Sequence, residues 1–358
     1  MTQSGARPRL RILFGAAVGD ALGASTEFMS VREAGNVYPP KSRFYARGAE
    51  SRTALGACTD DTQLIIATLQ SFQNFRCEEY LPLVWKLRQN LLVWLLSDPP
   101  DMGTVVQRSL RLGTFESWSA ATQAGAGNGS LMRAVALNAL GVDRKELVAL
   151  SVLCGAVTHI DPLCVWCCLF LNLFVENLLE GVHWESALRH ALSALAESAI
   201  VDEALGHLFA HFIPEHAQHR YAKLFLEAQA QVNTAVLDGA VGTLKAQGGF
   251  VVDTLRAALA HNVKSARFVD CVLRAARLGH DSDTTASVAG VFASARGWRI
   301  PLRLAEPLTA GHSWGQGTLL DGALSTTPLI SFLPQLLDVV EQKREPAAAP
   351  VLSDDVEV

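Results

Sequence analysis

The sequence predicts an all-α protein with one compact domain over residues 1–344. Most segments place apolar residues three and four positions apart, which is the spacing of one face of an α-helix. Few segments alternate apolar and polar residues, and β-branched clusters are scarce, so strands are not indicated. No linker rich in Pro, Ser and Gly divides the chain, and we therefore expect one helical bundle.

The first predicted helix, residues 10–24, is rich in small residues that permit close approach of a second helix, so we expect it to be buried. These residues are Gly15, Ala16, Ala17, Gly19, Ala21 and Gly23. Residues 30–56 contain several glycines and prolines and are predicted to form a mobile loop. Helical patterns follow at residues 59–75 and 78–97, and Asp98-Pro99-Pro100-Asp101 ends the second of them.

A flexible glycine loop is expected at residues 125–129, and helical patterns recur after it. They begin at residue 130 and cover 147–157, 163–179, 184–200, 201–213, 221–236, 251–260 and 268–278, with a last helix opening at residue 281. From Glu345 the composition changes to Pro, Ala and acids, so residues 345–358 are expected to form a disordered tail.

The composition excludes several classes of function. The net charge of −5 gives no electrostatic case for binding nucleic acid or an anionic membrane. The longest apolar run, residues 163–175, is too short to span a bilayer, and we expect no signal peptide. Four of the seven cysteines, between Cys154 and Cys168, crowd into one apolar region, which is typical of reduced thiols in the core of a cytoplasmic protein.

Two acidic turns are the strongest candidates for a functional site. Thr59-Asp60-Asp61-Thr62 opens one apolar helix, with Thr59 as its expected N-cap, and Asp281-Ser282-Asp283-Thr284 opens another. Each turn alone fits an ordinary helix start with capping acids. Together, if the fold joins them, four carboxylates would repel each other unless a hard cation such as Mg²⁺, Mn²⁺ or Ca²⁺ were bound.

Two other spacings have a metal or redox interpretation that the context does not favour. Cys164 and Cys167 have redox-motif spacing but lie inside an apolar helix, where core packing is the better interpretation. His207 and His211 are four residues apart, as zinc ligands can be, but no catalytic glutamate accompanies them, and a solvated helix face is expected.

Two charged residues keep two interpretations each. Arg133, near the start of a helix, could pair with a phosphate or anchor the structure. Asp20 could support the acidic turns or hold backbone groups within a tightly packed helix.

Five stretches resemble, in order and approximate spacing, the ADP-ribosylglycohydrolase family, which includes the dinitrogenase reductase-activating glycohydrolase and the ADP-ribosylarginine hydrolases. The first three are residues 19–23 (GDALG) with Glu27, residues 59–62 (TDDT) and residues 127–133 (GNGSLMR). The others are Thr158-His159 and residues 281–286 (DSDTTA). The resemblance implies an orthogonal all-α bundle, a centre with two Mg²⁺ or Mn²⁺ ions, and cleavage of the glycosidic bond between ADP-ribose and an acceptor.

The resemblance also implies roles for individual positions. Metal ligands would be Thr59, Asp60, Asp61, Asp281, Asp283 and Thr284. Glu27, Asp60, Asp61 and Asp283 would be the catalytic residues, with Glu27 on a mobile loop. Substrate would contact Gly127, Asn128, Gly129, Ser130, Leu131, Met132 and His159.

One position departs from the family's pattern. The family usually has Gly or Asn where this chain has His280, directly before the second acidic turn. His280 could crowd the site, touch the substrate or point away from it, and we include it among the candidate substrate-binding residues.

These residue types suit glycoside cleavage through an oxocarbenium-like transition state, with a carboxylate to orient water or accept its proton. The leading hypothesis is hydrolysis of ADP-ribosylated arginine on a protein, which releases ADP-ribose. Three alternatives stay open: an acceptor such as serine, a non-catalytic ADP-ribose-binding relative, and an immunity-type protein that docks to an ADP-ribosyltransferase.

Overall fold

The computed structural model describes residues 8–46, 54–73, 80–112, 125–244, 248–312 and 326–342. Within these ranges the chain forms sixteen helices and no β-strand, so the predicted all-α class is confirmed. Three isolated bridges, including one between Gly127 and Phe250, are the only extended pairings among them. The predicted tail at residues 345–358 lies outside the described residues.

The helices follow each other with short connections along most of the chain. They are α1 (Pro8–Gly23), α2 (Val31–Val37), α3 (Asp60–Ser71), α4 (Tyr80–Leu96), α5 (Thr104–Arg111), α6 (Leu131–Leu140), α7 (Arg144–Ala156), α8 (Pro162–Leu179), α9 (Trp184–Leu195), α10 (Ser198–His211), α11 (Glu215–Ala240), α12 (Val251–Val263), α13 (Phe268–Ala276), α14 (Ser282–Ala295), α15 (Leu302–Ala305) and α16 (Leu329–Gln342).

Helix α2 departs from the sequence prediction, because a loop was expected over residues 30–56. Helices α5, α15 and α16 were not predicted either. Ser30 and Glu33 form a capping box: the Ser30 hydroxyl accepts from the Glu33 N–H, and the Glu33 carboxylate accepts from the Ser30 N–H. This local pairing satisfies the first amide groups and supports a helix of only seven residues. The glycines and prolines around it obscured the short pattern.

The centre of the fold is the antiparallel pair of α1 and α14. Gly15, Gly19 and Gly23 are spaced by four residues along α1 and face the backbone of α14. A Cβ atom at Gly19 would lie 2.0 Å from the Ala286 carbonyl oxygen, and one at Gly23 would lie 2.3 Å from the Ser282 carbonyl oxygen. The predicted close helix approach is therefore confirmed, and it places the start of α14 beside the end of α1.

Helix α8 is the most apolar element. The apolar run was expected to be too short to span a bilayer, but the whole helix is 18 residues long and is, by length and composition, the one described helix that could cross a membrane. Most of it is buried inside the fold, which is typical of a core helix. Cys164, Cys167 and Cys168 on this helix are buried and free, and burial raises the pKa of each thiol. Core packing therefore accounts for the cysteine spacing.

The His207–His211 pair lies on α10, where both rings are half-buried rather than fully solvated. His207 Nε2 lies 3.9 Å from Glu203 Oε1, and its ring packs edge-on against Tyr80. Among the described residues these histidines join no group of metal-ligating side chains.

Candidate metal and substrate site

The first acidic turn is held in place by Asp20 of α1. Thr59 occupies the N-cap position of α3, as predicted, but its side chain makes no capping hydrogen bond. Instead, Asp20 accepts from the backbone N–H groups of Thr59 (3.0 Å) and Thr62 (3.0 Å) and from both hydroxyls, at 2.8 and 2.5 Å. A carboxylate from another helix therefore replaces the expected cap. Asp20 therefore supports the first acidic turn, and the backbone groups that it binds belong to the start of α3 and not to its own helix.

The second acidic turn meets the first through two hydroxyl contacts. The Thr59 hydroxyl donates to Asp283 Oδ2 at 3.3 Å, and the Thr284 hydroxyl donates to Asp61 Oδ2 at 3.2 Å. Residues more than 220 positions apart in sequence thus lie in direct contact. The α1–α14 packing and the Asp20 bridge between α1 and α3 produce this convergence.

Asp60, Asp61 and Asp283 form a buried cluster in which one oxygen of each lies within 4.8 Å of the others. Burial raises the pKa of all three carboxyls well above the usual range, and the negative charges of neighbouring aspartates raise it further. Asp61 Oδ1 is buried without a hydrogen-bond partner. Three buried, crowded carboxylates, one with an unpaired oxygen, fit a bound divalent cation, so the donor set suits Mg²⁺ or Mn²⁺.

A second acidic group adjoins this cluster. Ligand oxygens of Glu27, Asp101 and Asp283 also lie within 4.8 Å of one another, and both Glu27 and Asp101 are half-buried. Asp101 was missed by the sequence analysis, because Asp98-Pro99-Pro100-Asp101 has the pattern of a helix stop. No local signal distinguishes it, since it reaches the site only through the packing of the α4–α5 connection.

Asp281 lies at the edge of the cluster rather than inside it. Its Oδ2 accepts a hydrogen bond from the Asn128 amide at 2.6 Å, and Asn128 also donates to the Thr254 hydroxyl. Asp281 joins neither group of three converging oxygens, although its charge raises the pKa of Asp283. The predicted ligand role of Asp281 therefore has weaker geometric support than those of Asp60, Asp61 and Asp283.

Glu27, Asp60, Asp101, Asp281 and Asp283 line a cavity of about 640 Å³, a volume typical of small-molecule sites. Gly127, Gly129 and His159 line the same cavity. A Cβ atom at Gly129 would lie 2.8 Å from the His159 ring, so glycine is needed for this close contact. Asn128, Met132 and His280 also line the cavity.

His159 is an uncharged imidazole in the cavity lining. Burial, with the nearby charge of Arg133, lowers its pKa to about 3. Its Nδ1 shares a hydrogen bond of 2.8 Å with the Thr158 hydroxyl, while Nε2 faces the two glycines. His159 can therefore exchange a hydrogen bond with a ligand, but it does not bring positive charge to it.

Ser130, Leu131 and Arg133 point their side chains away from the cavity. The Ser130 hydroxyl contacts Cys168 Sγ at 3.5 Å, and Leu131 is fully buried. Arg133 donates to the carbonyl oxygens of Gly129 and Cys154 and to the Thr158 hydroxyl, so it anchors the structure and does not reach the cavity. A substrate role of Ser130 and Leu131 can involve only their backbone.

The departure at His280 has a conformational explanation. His280 adopts a left-handed φ of +54°, which Gly and Asn tolerate best, so the family's usual residues suit this backbone. Phe28 is also left-handed (φ +60°), and the two segments are joined by hydrogen bonds from Phe28 N to His280 O and from His280 N to Met29 O. His280 and Phe28 are exposed at the cavity mouth, so His280 does not crowd the acids.

The chain is similar to known proteins over most of its length. The ADP-ribosylglycohydrolase family model matches residues 7–331. The ADP-ribosyl-(dinitrogen reductase) glycohydrolase of Rhodospirillum rubrum is 27% identical over 292 residues, covering 80% of this chain and 84% of the relative. The ADP-ribosylarginine hydrolase Tri1 of Pseudomonas putida (strain GB-1) is 26% identical over 305 residues, covering 79% and 68%.

A solved structure shares the fold. It is described as an ADP-ribosylglycohydrolase-related protein complex and superimposes with a TM-score of 0.59, at 21% identity, over 94% of this chain and 98% of its own. The match of the family model over nearly the whole chain shows that this protein belongs to the ADP-ribosylglycohydrolase family of enzymes.

Proposed function

We propose that this enzyme hydrolyses the N-glycosidic bond between ADP-ribose and an arginine side chain of a modified protein, and thereby reverses mono-ADP-ribosylation. The observation that carries the proposal is the convergence of Asp60, Asp61 and Asp283, of which Asp60 and Asp283 line the cavity. The relatives support the choice of arginine, because one is named as an ADP-ribosylarginine hydrolase and another as a glycohydrolase of an ADP-ribosylated protein.

Asp60, Asp61 and Asp283, with the hydroxyls of Thr59 and Thr284, would hold two Mg²⁺ or Mn²⁺ ions. When bound, such ions supply positive charge and Lewis acidity beside the ribose. The protein's own contribution is to keep five oxygen-bearing side chains in place through the Asp20 bridge and the α1–α14 contact. Asp281, hydrogen-bonded to Asn128, is an additional candidate ligand.

The half-buried carboxylates of Glu27 and Asp101 are the candidates for proton transfer. In hydrolysis, the bond between the anomeric carbon and the guanidine nitrogen breaks, and a water oxygen bonds to the anomeric carbon. One carboxylate would accept the water proton, and the leaving guanidine would gain a proton. Glu27 and Asp101 each have an oxygen within 4.8 Å of an Asp283 oxygen, so either is close enough to the cluster for this role.

The glycine segment of the cavity lining, residues 127–129, suits the diphosphate of ADP-ribose. Gly127 and Gly129 leave their backbone accessible in the cavity, and α6 begins directly after them at Leu131. The N-terminus of a helix favours negative charge, so its first N–H groups can bind phosphate oxygens. His159, uncharged at neutral pH, can add a hydrogen bond there.

The test is to incubate the protein and Mg²⁺ with one peptide carrying ADP-ribosylarginine and another carrying ADP-ribosylserine, and to measure released ADP-ribose. We expect release from the arginine peptide, and loss of at least about a hundredfold in kcat in Asp60→Asn and Asp283→Asn. Glu146→Gln is a matched control, because Glu146 (8% exposed) is about as buried as Asp60 (7% exposed) and lies outside the cavity.

Release from the serine peptide alone would show that the acceptor is serine and not arginine. Full activity in either aspartate variant would refute the assignment of the cluster. Tight binding of ADP-ribose without turnover of either peptide would identify a binding protein instead of an enzyme.

A further inference from the structure

A second cavity, of about 270 Å³, lies at the other end of α14 from the acidic cluster and is strongly basic. Its charged lining residues are Arg43, Arg267, Arg299, Arg303 and Asp270, so four positive charges face one negative charge. The apolar floor consists of Phe268, Val269 and Trp298. We call it the arginine cleft. It contrasts with the net charge of −5 of the whole chain.

The arginines of the cleft are only partly neutralised. Asp270 accepts a hydrogen bond from Arg267 Nε at 3.0 Å and lies 3.9 Å from Arg43. Arg303 stacks over the Phe44 ring at 5.1 Å. Arg299 is exposed and makes no hydrogen bond or ion pair with residues that the structure describes. A further acidic group would therefore find unpaired guanidinium charge here.

A basic stripe leads from this cleft towards the cavity mouth. Arg267, Asp270, Arg274 and Arg277 follow each other at intervals of three or four residues, so they share one face of α13. Arg277 donates to the carbonyl oxygens of Tyr38 and Pro39, which are neutral groups, so its positive charge stays uncompensated beside that of Arg274. Three residues after Arg277 the chain reaches His280 at the cavity mouth.

We propose that the arginine cleft and this stripe bind an acidic segment of the modified protein, while its ADP-ribosylated residue enters the cavity. The inference rests on the proposed function and names its substrate class as proteins with acidic residues near the modified site. A carboxylate already sits between two cleft arginines, at Asp270, so this geometry accommodates the ligand class. The chain's overall negative charge opposes a long polyanion such as nucleic acid.

The spacing between the two sites follows from α14. Its fourteen residues separate the acidic cluster from the cleft by about 21 Å at 1.5 Å per residue. An extended peptide covers about 3.3 Å per residue, so at least six or seven residues must lie between the modified arginine and the acidic segment.

The test uses peptides with one ADP-ribosylarginine and a block of four glutamates placed eight residues away, on either side. Control peptides carry four glutamines at that position, or the glutamates only two residues away. For wild-type protein, we expect kcat/KM to be about tenfold higher for the distant glutamate block at low salt, with the gain lost at high salt.

The informative variant is Arg274→Glu with Arg299→Glu, since both residues are exposed and outside the cavity. It should lose the gain from the glutamates and hydrolyse free ADP-ribosylarginine at the wild-type rate. Arg189→Glu with Arg220→Glu makes the same change of net charge at exposed positions on α9 and α11 and should keep the gain.

A gain that persists in the first double variant, or that both double variants lose equally, would overturn the inference. Stronger competition by single-stranded DNA than by the unmodified glutamate peptide would overturn it too. If no peptide is hydrolysed, the proposed function fails instead. Fluorescence anisotropy of the unmodified glutamate peptide then tests the cleft separately: binding lost in Arg274→Glu/Arg299→Glu supports it, and absence of binding to wild-type protein refutes it.

Discussion

Substitution of Asp20 should weaken both the fold and the metal site, because this one buried carboxylate holds the first acidic turn. Its two oxygens accept two backbone N–H groups and two hydroxyls from Thr59 and Thr62. Asp20→Asn keeps the shape of the side chain but replaces one acceptor oxygen by an NH₂ group. That group would face the Thr62 N–H, which is also a donor and would lose its hydrogen bond. Hydrogen bonds to a charged group contribute about 1.5–3 kcal/mol each, and a lost acceptor leaves a buried donor unpaired.

We therefore expect Asp20→Asn to lower the free energy of unfolding by about 3 kcal/mol, and Asp20→Ala by about 3–5 kcal/mol. Thr59 also contacts Asp283, so a displaced Thr59 should weaken cation binding. Loss of a residue that orients ligands typically costs about 10–100-fold in metal affinity.

The assay is urea unfolding monitored by circular dichroism, together with a Mg²⁺ titration of activity. Thr68→Val is the matched control. It removes a buried hydrogen bond from the Thr68 hydroxyl to Leu64 O within α3, the helix whose start Asp20 holds, at a position away from the cluster. It should cost about 1 kcal/mol and leave the Mg²⁺ midpoint unchanged. An Asp20→Asn protein within about 0.5 kcal/mol of wild type, with the wild-type Mg²⁺ midpoint, would refute the role of Asp20.

Three further predictions test the packing, a buried histidine and the cavity mouth. In chemical denaturation, Gly19→Ala should lower the free energy of unfolding by about 2–3 kcal/mol, because the new Cβ meets the Ala286 carbonyl at 2.0 Å. Gly35→Ala is the control: the space around Gly35 is open, so the free energy of unfolding should not fall. Burial lowers the pKa of His261 to about 3, below its unfolded value of about 6.5, so wild type should lose stability as pH falls through 6.5. Between pH 7 and pH 5, measured with Mg²⁺ present, the free energy of unfolding of wild type should fall by about 2 kcal/mol more than that of His261→Leu. Equal pH profiles of the two proteins would contradict this. His280→Gly should leave the free energy of unfolding unchanged or raise it by up to about 1 kcal/mol, since glycine suits the left-handed φ, and a marked loss in thermal unfolding would contradict this.

The sequence was sufficient for the fold class and for the two acidic turns, because both depend on local patterns. Helical spacing identified most helices, and the small residues of α1 correctly indicated a close neighbour. The identity of that neighbour was not local information. The contacts of Gly15, Gly19 and Gly23 show that α14 lies against α1, and this packing brings the second acidic turn to Asp61.

Other features depended on long-range contacts that no spacing encodes. Asp101 joins the acidic groups although its own segment has the pattern of a helix stop. The two interpretations of Arg133 could be separated only once its three buried acceptors were visible. Helix α2 was missed for a different reason, since a capping box stabilises seven residues among glycines and prolines.

The most direct test of the metal-dependent site is a Mg²⁺ titration of EDTA-treated protein, with ADP-ribose release from an ADP-ribosylarginine peptide and thermal stability measured in the same samples. Repulsion among Asp60, Asp61 and Asp283 predicts that the cation stabilises the fold, and the proposed function predicts that release begins with it. We expect no release in EDTA, and activity and melting temperature that rise with one common midpoint. Undiminished release in EDTA, or stabilisation by Mg²⁺ without any release, would contradict the central claim.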